Sequence, residues 1–235
     1  LRDKVELLAA AGVDRVLCLA FNQRLRELSA EAFVRAVLVD GLGVEHLEIG
    51  DDFRFGCDRS GDFAFLQQAG QTFGFTVEEA ATVELGGARV SSTRVRQALQ
   101  VADFAVAEHL LGRPYAIAGR VVQGQQLGRQ LGTPTANVQL KRHRVPLSGV
   151  FLVSVELDGV VRPGVANIGV RPSVKTDGFA HLEVHLLDFA GDLYDRRIVV
   201  VFHHKLRDEQ RFASLEALKS AIAADVVAAR AFWQG

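Results

Sequence analysis

The spacing of apolar positions changes character near residue 113. Before it, helical and strand patterns alternate. Residues 2–11 carry apolar side chains at helical spacing, and Val16–Phe21 is an apolar run of strand length. Ser29 is placed to cap a helix over 30–40 that stops at Gly41. His46–Ile49 reads as a strand running into Gly50-Asp51-Asp52. Asp62 caps a helix over 63–70, Thr76–Ala81 is a strand, and Ser91-Ser92 opens another helix. Asp103 starts a further helix that ends at Leu111, with Gly112 beyond it. This alternation predicts a parallel α/β sheet with helical crossovers. After Arg113-Pro114, runs at 115–122, 135–140, 149–157, 160–168, 181–189 and 197–203 read as strands, and Asp158-Gly159 is a two-residue hairpin signal. Six strands without intervening helices predict a closed or nearly closed antiparallel barrel. Ser214 then caps a long helix. Its stripe of Leu215, Leu218, Ile222, Val226 and Trp233 is expected to pack on the barrel, with Trp233 as an anchor rather than a ligand platform. The expected domains are therefore 1–112 and 113–235.

Composition narrows the class. With 49% hydrophobic and 23% charged residues, the 235-residue chain has the make-up of a globular protein with one large or two small domains. A net charge of −1 gives no sign of nucleic-acid binding, which needs a basic face. No apolar run reaches the roughly 18 residues that span a bilayer, and no signal-peptide pattern is visible. Two cysteines are too few for a disulfide framework or a cysteine zinc site, so a reducing cytoplasm is the expected compartment. Cys18, inside an apolar run, is expected to be a buried thiol, and Cys57, after a glycine, partly exposed. The chain has no methionine, where ordinary composition gives about five. It opens on Leu1-Arg-Asp-Lys as if inside a helix, and the expectation is a fragment. Oligomeric state is not legible.

Three stretches carry candidate chemistry. Thr133-Pro134-Thr135-Ala136-Asn137 follows a run studded with Gly124, Gly128 and Gly132. If a strand begins after Pro134, Thr135 and Asn137 share a face and offer two oxygens to a hard cation. The glycines let backbone N–H groups approach phosphate oxygens. An ordinary glycine-rich turn into a strand fits the same letters. Along His181–Phe189, alternation puts Leu182, Val184 and Leu186 on one face and His181, Glu183, His185 and Leu187 on the other. Glu183 is then a working carboxylate or a solvated exterior residue. A His-x-Glu-x-His metal site is conceivable, but same-face strand neighbours about 7 Å apart span a small metal poorly. In the amino half, Ser92, Thr93, Arg94 and Arg96 crowd a helix start, which is either an anion site or simple capping. Asp52 and Arg54 follow the strand at 46–49, where ligands bind in such sheets.

The strings GRVVQGQQLGRQLGTPTAN (119–137), PLSGVF (146–151), GVANIGVRPSV (164–174), LEVHLLDFAGDLY (182–194) and KLRDEQRFASLEAL (205–218) together resemble riboflavin kinase. GDDFRFGCDRSGDF (50–63) and VSSTRVRQAL (90–99) look like the adenylyltransferase module of the bacterial bifunctional riboflavin kinase/FMN adenylyltransferases. The resemblance implies a Rossmann-like nucleotidyltransferase α/β domain, incomplete here, followed by a kinase barrel. It implies ATP as co-substrate, Mg²⁺, and riboflavin, FMN and FAD as substrates or products. Glu183 would be the general base, and Thr135 and Asn137 would hold Mg²⁺ and the ATP phosphates. Gly124, Gly128, Arg129 and Gly132 would cover the nucleotide, and Arg171, Arg207, Glu209 and Arg211 would border the flavin. Asp52, Arg54, Ser92, Thr93 and Arg96 would bind nucleotide or flavin in the amino half. One family feature, a loop ending His-x-Gly-His, has no counterpart in the sequence, and FAD synthesis is therefore expected to be impaired. A non-catalytic flavin carrier, or another nucleotidyltransferase fused to a barrel, are the competing readings. A carrier needs neither a base nor a cation clamp.

Overall fold

In a computed structural model, residues 1–124, 128, 132–140, 145–170 and 180–234 are described. The chain forms two compact units, Leu1–Arg89 and Val90–Gly235. That division falls earlier than Arg113-Pro114, because the two helices before the proline pack with the barrel.

In the first unit, α1 (Arg2–Ala10) is followed by the short α2 (Gln23–Arg26). Helix α3 (Ala30–Phe33) continues as a π-helical stretch, Val34–Val39, and the Ser29 Oγ accepts from the Ala32 N–H at 3.1 Å. Strands β1 (His46–Ile49) and β2 (Thr76–Glu79) pair in parallel, and α4 (Phe63–Phe73) is the crossover between them. Asp62 caps α4 through Phe65 N–H at 2.9 Å, and Gly74 ends it at φ 83°. A small antiparallel hairpin, β3 (Glu84–Leu85) with β4 (Ala88–Arg89), was not legible in the sequence. The core gathers Val34, Leu38, Ile49, Phe55, Leu66 and Phe75.

The expected strand at 16–21 does not form. Those residues have no regular structure, and Val16, Leu17, Leu19 and Phe21 are exposed. An isolated extended run leaves its backbone groups unpaired, and no neighbouring strand among the described residues satisfies them. Cys18 is consequently exposed rather than buried, as is Cys57.

In the second unit, Ser91 caps α5 (Ser92–Gln100) and Asp103 caps α6 (Phe104–Leu111). Six strands follow: β5 (Ala116–Val122), β6 (Ala136–Gln139), β7 (Gly149–Leu157), β8 (Val160–Val170), β9 (Ala180–Leu186) and β10 (Arg197–Arg207). They close into an antiparallel barrel in the order β10-β5-β6-β9-β8-β7. Asp158 and Gly159, at φ 52° and 77°, make the tight turn joining β7 to β8. Inside lie Ile117, Val138, Val153, Ile168, Val184 and Val200. Phe104 of α6 joins this core, packing edge-on to Phe151 at 5.9 Å and stacking on Phe202 at 6.2 Å.

Helix α7 (Leu215–Gln234) covers part of the barrel exterior, and Ser214 caps it through Ala217 N–H at 3.1 Å. Val150, Leu152, Val165 and Leu187 are buried with Ala229 of α7. β7 is therefore covered on both faces, which explains why its sequence is an unbroken apolar run rather than an alternation. The expected stripe on α7 is only partly right. Leu215 and Trp233 are exposed, whereas Asp225 and Ala229 are the fully buried positions. Trp233 does act as an edge anchor, its ring 5.0 Å from that of His203.

Candidate active site

Alternation along β9 sends Leu182, Val184 and Leu186 into the barrel and leaves His181, Glu183 and His185 on its outer face, each partly buried. The register then decides who stands beside Glu183. Its partner on β6 is Asn137 and its partner on β8 is Asn167. Asn167 is in turn opposite Val150 of β7, and Val150 is opposite Arg207 of β10. Asn137, Glu183, Asn167, Val150 and Arg207 thus form one row around the outside of the barrel. Residues far apart in sequence are brought within one strand spacing of each other, about 4.8 Å per step.

A cleft of about 250 Å³ opens over Glu183, Asn167, Val150 and Arg207 of this row, while Asn137 lines a separate pocket with Gln139 and His181. Gly128, Thr133, Thr135, Glu183, His185 and Asn167 line its polar side. Val150, Val165, Phe212, Leu218, Ile222 and Val226 make the apolar side. Here α7 contributes its stripe as a cleft wall rather than as closed core. A second cleft, of about 320 Å³, is lined by Pro134, Thr135, Val184, Phe189, Leu193 and Tyr194 among others. Thr135 borders both.

Gly124 lies tightly against Asn137, and Gly128 against Thr133 and Thr135. A Cβ on Gly124 would collide with the carboxamide of Asn137. One on Gly128 would come within 2.5 Å of the Thr133 carbonyl and 3.2 Å of the Thr135 Oγ1. Only a bare backbone fits at these two points. Gly132 sits at φ 80°. The His185 Nδ1–H donates to the Pro134 carbonyl at 2.9 Å, tying this segment to β9 and leaving Nε2 as the other ring nitrogen.

On the opposite flank, Arg207 lines the cleft, but its guanidinium is held by Asp225 of α7. Nε lies 3.0 Å from Oδ1 and Nη2 lies 2.8 Å from Oδ2. Asp225 is only 8% exposed, so the pair fastens α7 to β10. Glu209 lines the cleft with its carboxylate lying over Gly169, accepting from the Ser148 hydroxyl at 3.5 Å and 3.8 Å from the His181 Nε2. Arg211 is exposed and is not among the cleft-lining residues. Arg129 and Arg171 lie outside the described residues.

The donors around Thr135 suit a hard divalent cation. They are neutral and anionic oxygens, and the Thr133 Oγ1 is buried with no hydrogen-bond partner among the described residues. Among the described residues no three histidine, cysteine or acidic side chains cluster in a way that could hold a metal ion, His181, Glu183 and His185 included.

In the amino half, Asp52 and Arg54 are exposed just beyond β1. Arg54 donates to the neighbouring Phe53 carbonyl at 2.9 Å. Asp51, not Asp52, takes Arg89 in a two-pronged ion pair at 2.8 and 3.0 Å. The guanidinium holds the Asp51 carboxyl below its ordinary value. Ser92, Thr93 and Arg96 are exposed on the first turns of α5, where Ser91 Oγ accepts from the Arg94 N–H at 3.3 Å.

Comparison with known proteins agrees with both halves. The riboflavin kinase (Flavokinase) family matches residues 111–233, and the FAD synthetase family matches residues 1–94. A bifunctional riboflavin kinase/FMN adenylyltransferase from Pseudomonas fluorescens is 77% identical over 220 residues, spanning 94% of this chain and 71% of that protein. The chain belongs to the bifunctional riboflavin kinase/FMN adenylyltransferase family. The protein of that name from Escherichia coli K12 is 53% identical over 235 residues, covering 99% of this chain and 74% of its own length. A crystal structure named as a macrolide-efflux protein from Streptococcus pneumoniae aligns with a TM-score of 0.78 at 30% identity, covering 97% of this chain and 74% of that one. No described helix of the present chain is long and apolar enough to cross a membrane.

Sequence reasoning missed Asn167 and Asp225, and gave Thr133 and His185 no role of their own. Asp225 had a readable signal, a lone acid beside the apolar stripe of α7. Asn167 had none, because only the pairing of β8 with β9 sets it opposite Glu183.

Proposed function

We propose that the barrel unit phosphorylates riboflavin to FMN with ATP, and that the amino half serves the adenylylation of FMN to FAD in the same family reaction sequence. The observation carrying the kinase reading is the row Asn137–Glu183–Asn167, of which Glu183 and Asn167 line the cleft, with Thr135 bordering two clefts. The first cleft has an apolar wall suited to the flavin ring. The second meets it at Thr135 and suits the nucleotide.

Glu183 takes the proton from the terminal ribityl hydroxyl as that oxygen attacks the γ-phosphorus of ATP. The new P–O bond forms as the bond to the departing ADP oxygen breaks, and the proton passes from Glu183 to solvent. Such a transfer depends mainly on positioning and charge stabilisation. Thr135 and Asn137 would hold Mg²⁺, which would supply charge neutralisation at the phosphates. Backbone at Gly124, Gly128 and Gly132, with Arg129, covers the phosphates. Glu209 closes the flavin side and Arg207 braces the wall through Asp225, while Arg171 and Arg211 are assigned to the flavin by the family resemblance alone. In the amino half, Ser92, Thr93 and Arg96 grip phosphate at the start of α5, and Asp52 and Arg54 meet nucleotide or flavin at the end of β1. The residue ranges 1–112 and 113–235 describe these two functional halves. Small soluble substrates and unpaired cysteines suit a cytoplasmic setting.

The test is conversion of riboflavin by the purified chain with Mg-ATP, followed by separation of the flavins. FMN should accumulate, and Thr135→Val should need much more Mg-ATP for the same rate. Absence of FMN from folded chain would reject the kinase reading.

A further inference from the structure

We infer that Asn167 binds the ribityl chain of the flavin beside Glu183, accepting a hydrogen bond from one of its internal hydroxyls. The inference rests on the kinase reading and gives Asn167 a role that reading leaves open. Asn167 stands in the middle of β8, paired with Glu183 on one side and with Val150 on the other. Side chains so paired have their Cβ atoms about 4.5–5.5 Å apart. The residue lines the first cleft. Its Oδ1 is buried and has no hydrogen-bond partner among the described residues. A buried amide acceptor left without a donor loses its hydration and gains nothing in exchange. Its neighbours Val150 and Val165 are apolar, so packing alone would favour an aliphatic side chain here.

The order along the row identifies the donor. Asn137 lies against Gly124, in the glycine-rich segment, and marks the phosphate side. Glu183 comes next, then Asn167, then the apolar wall at Val150. Riboflavin presents its groups in the same sequence: reacting hydroxyl, polyol, apolar ring. A carboxamide one strand from the base therefore falls beside the polyol. Rotation about the last side-chain bond exchanges the amide oxygen and nitrogen with almost no change in shape. The oxygen can thus face a hydroxyl while the N–H₂ turns towards the Glu183 carboxylate. That arrangement satisfies the orphaned acceptor and fixes the hydroxyl chain relative to the base.

The experiment compares wild type, Asn167→Ala and Asn167→Ser. Riboflavin dissociation constants are read by flavin fluorescence with Mg-ADP present, alongside the KM for ATP, the Mg²⁺ activation midpoint and the thermal midpoint. Asn167→Ala should weaken riboflavin about tenfold, the scale of one lost hydrogen bond. The ATP and Mg²⁺ values should hold, and the thermal midpoint should not fall, because an unsatisfied acceptor has been removed. Serine, which keeps a hydroxyl, should recover part of the affinity. Among riboflavin analogues each missing one internal ribityl hydroxyl, one should bind wild type about tenfold more weakly and lose nothing further in Asn167→Ala. Unchanged riboflavin affinity in both folded variants would overturn the inference. So would an equal further loss for every analogue, or a shifted Mg²⁺ midpoint with riboflavin unaffected, which would make Asn167 a cation ligand. Failure of wild type to form FMN would instead reject the kinase reading on which the inference stands.

Discussion

The two units treat their candidate residues differently. In the barrel, strand closure leaves no free edge, and Asn137, Glu183 and Asn167 each acquire a partner on either side. Asn137, Glu183 and Asn167 are fixed in register before any ligand arrives. In the amino unit the described parallel sheet is two strands of four residues each, and Asp52 and Arg54 sit on exposed turns beyond one of them. An apolar run there, Val16 to Phe21, stays exposed. A closed sheet makes a site out of spacing alone, whereas a two-stranded sheet supplies an edge and leaves positioning to loops.

The sharpest test of that contrast is Glu183→Gln. FMN formation should fall about 10²–10⁴-fold, the usual scale for a general base, while riboflavin and ATP still bind. Turnover near wild type at saturating substrate would remove Glu183 from the reaction. The barrel row would then be geometry without chemistry.

Next come matched cavities in the two cores. Leu66→Ala and Leu182→Ala each truncate a side chain buried to 0% and 1% exposure, and each should cost about 2–5 kcal/mol. The single tryptophan, Trp233, lies in the barrel unit, so its fluorescence follows that unit alone. Leu182→Ala should lower the tryptophan unfolding midpoint, and Leu66→Ala should leave it in place. Equal shifts would mean that the units unfold together, and the comparison drawn above would fail at the level of stability.

Asp225→Leu should cost roughly 3 kcal/mol, the lower end of the range for breaking a buried pair. Arg207 keeps 25% of its side chain exposed and can recover some hydration. The same change should loosen α7 and raise the KM for riboflavin more than that for ATP. A purely thermal effect, with both KM values intact, would separate the brace from the cleft.

The smallest effect is the response of the barrel to acid. Burial lowers the pKa of His203 from its ordinary 6.5, with Glu108 partly opposing the shift. Its Nε2 lies 2.8 Å from the Ser154 Oγ. The unfolded chain therefore takes up the proton more readily than the folded one. This contribution is complete above about pH 6.5 and is lost as pH falls through the lower, folded value. The tryptophan midpoint should decline over that interval, and His203→Gln should flatten the decline. A wild-type midpoint unchanged between pH 7 and 5, roughly the range over which an ordinary histidine titrates, would contradict this assignment.

Much of the fold was legible because its signals are local. Ser29, Asp62, Ser91, Asp103 and Ser214 each cap the helix they precede, since a short side-chain oxygen can satisfy a nearby N–H without tertiary help. The hairpin at Asp158-Gly159 and the inward Leu182–Val184–Leu186 face follow from turn chemistry and strand period. Failures came where a partner was required. Val16–Phe21 has strand letters but no strand beside it among the described residues, and Leu215 and Trp233 have stripe positions but lie at the exposed ends of α7.

The candidate site divides along the same line. Thr135, Asn137 and Glu183 were visible as residue types in strings that resemble a kinase, and strand period alone put Glu183 on the face opposite Leu182, Val184 and Leu186. Which strand lies beside which is a property of barrel closure, and closure depends on hydrogen bonds between segments dozens of residues apart. Only that pairing set Asn167 against Glu183, and only the docking of α7 set Asp225 against Arg207 and raised an apolar wall over the row. Local periodicity can say which way a side chain points. Its neighbours are chosen by long-range pairing and packing, which no local pattern encodes.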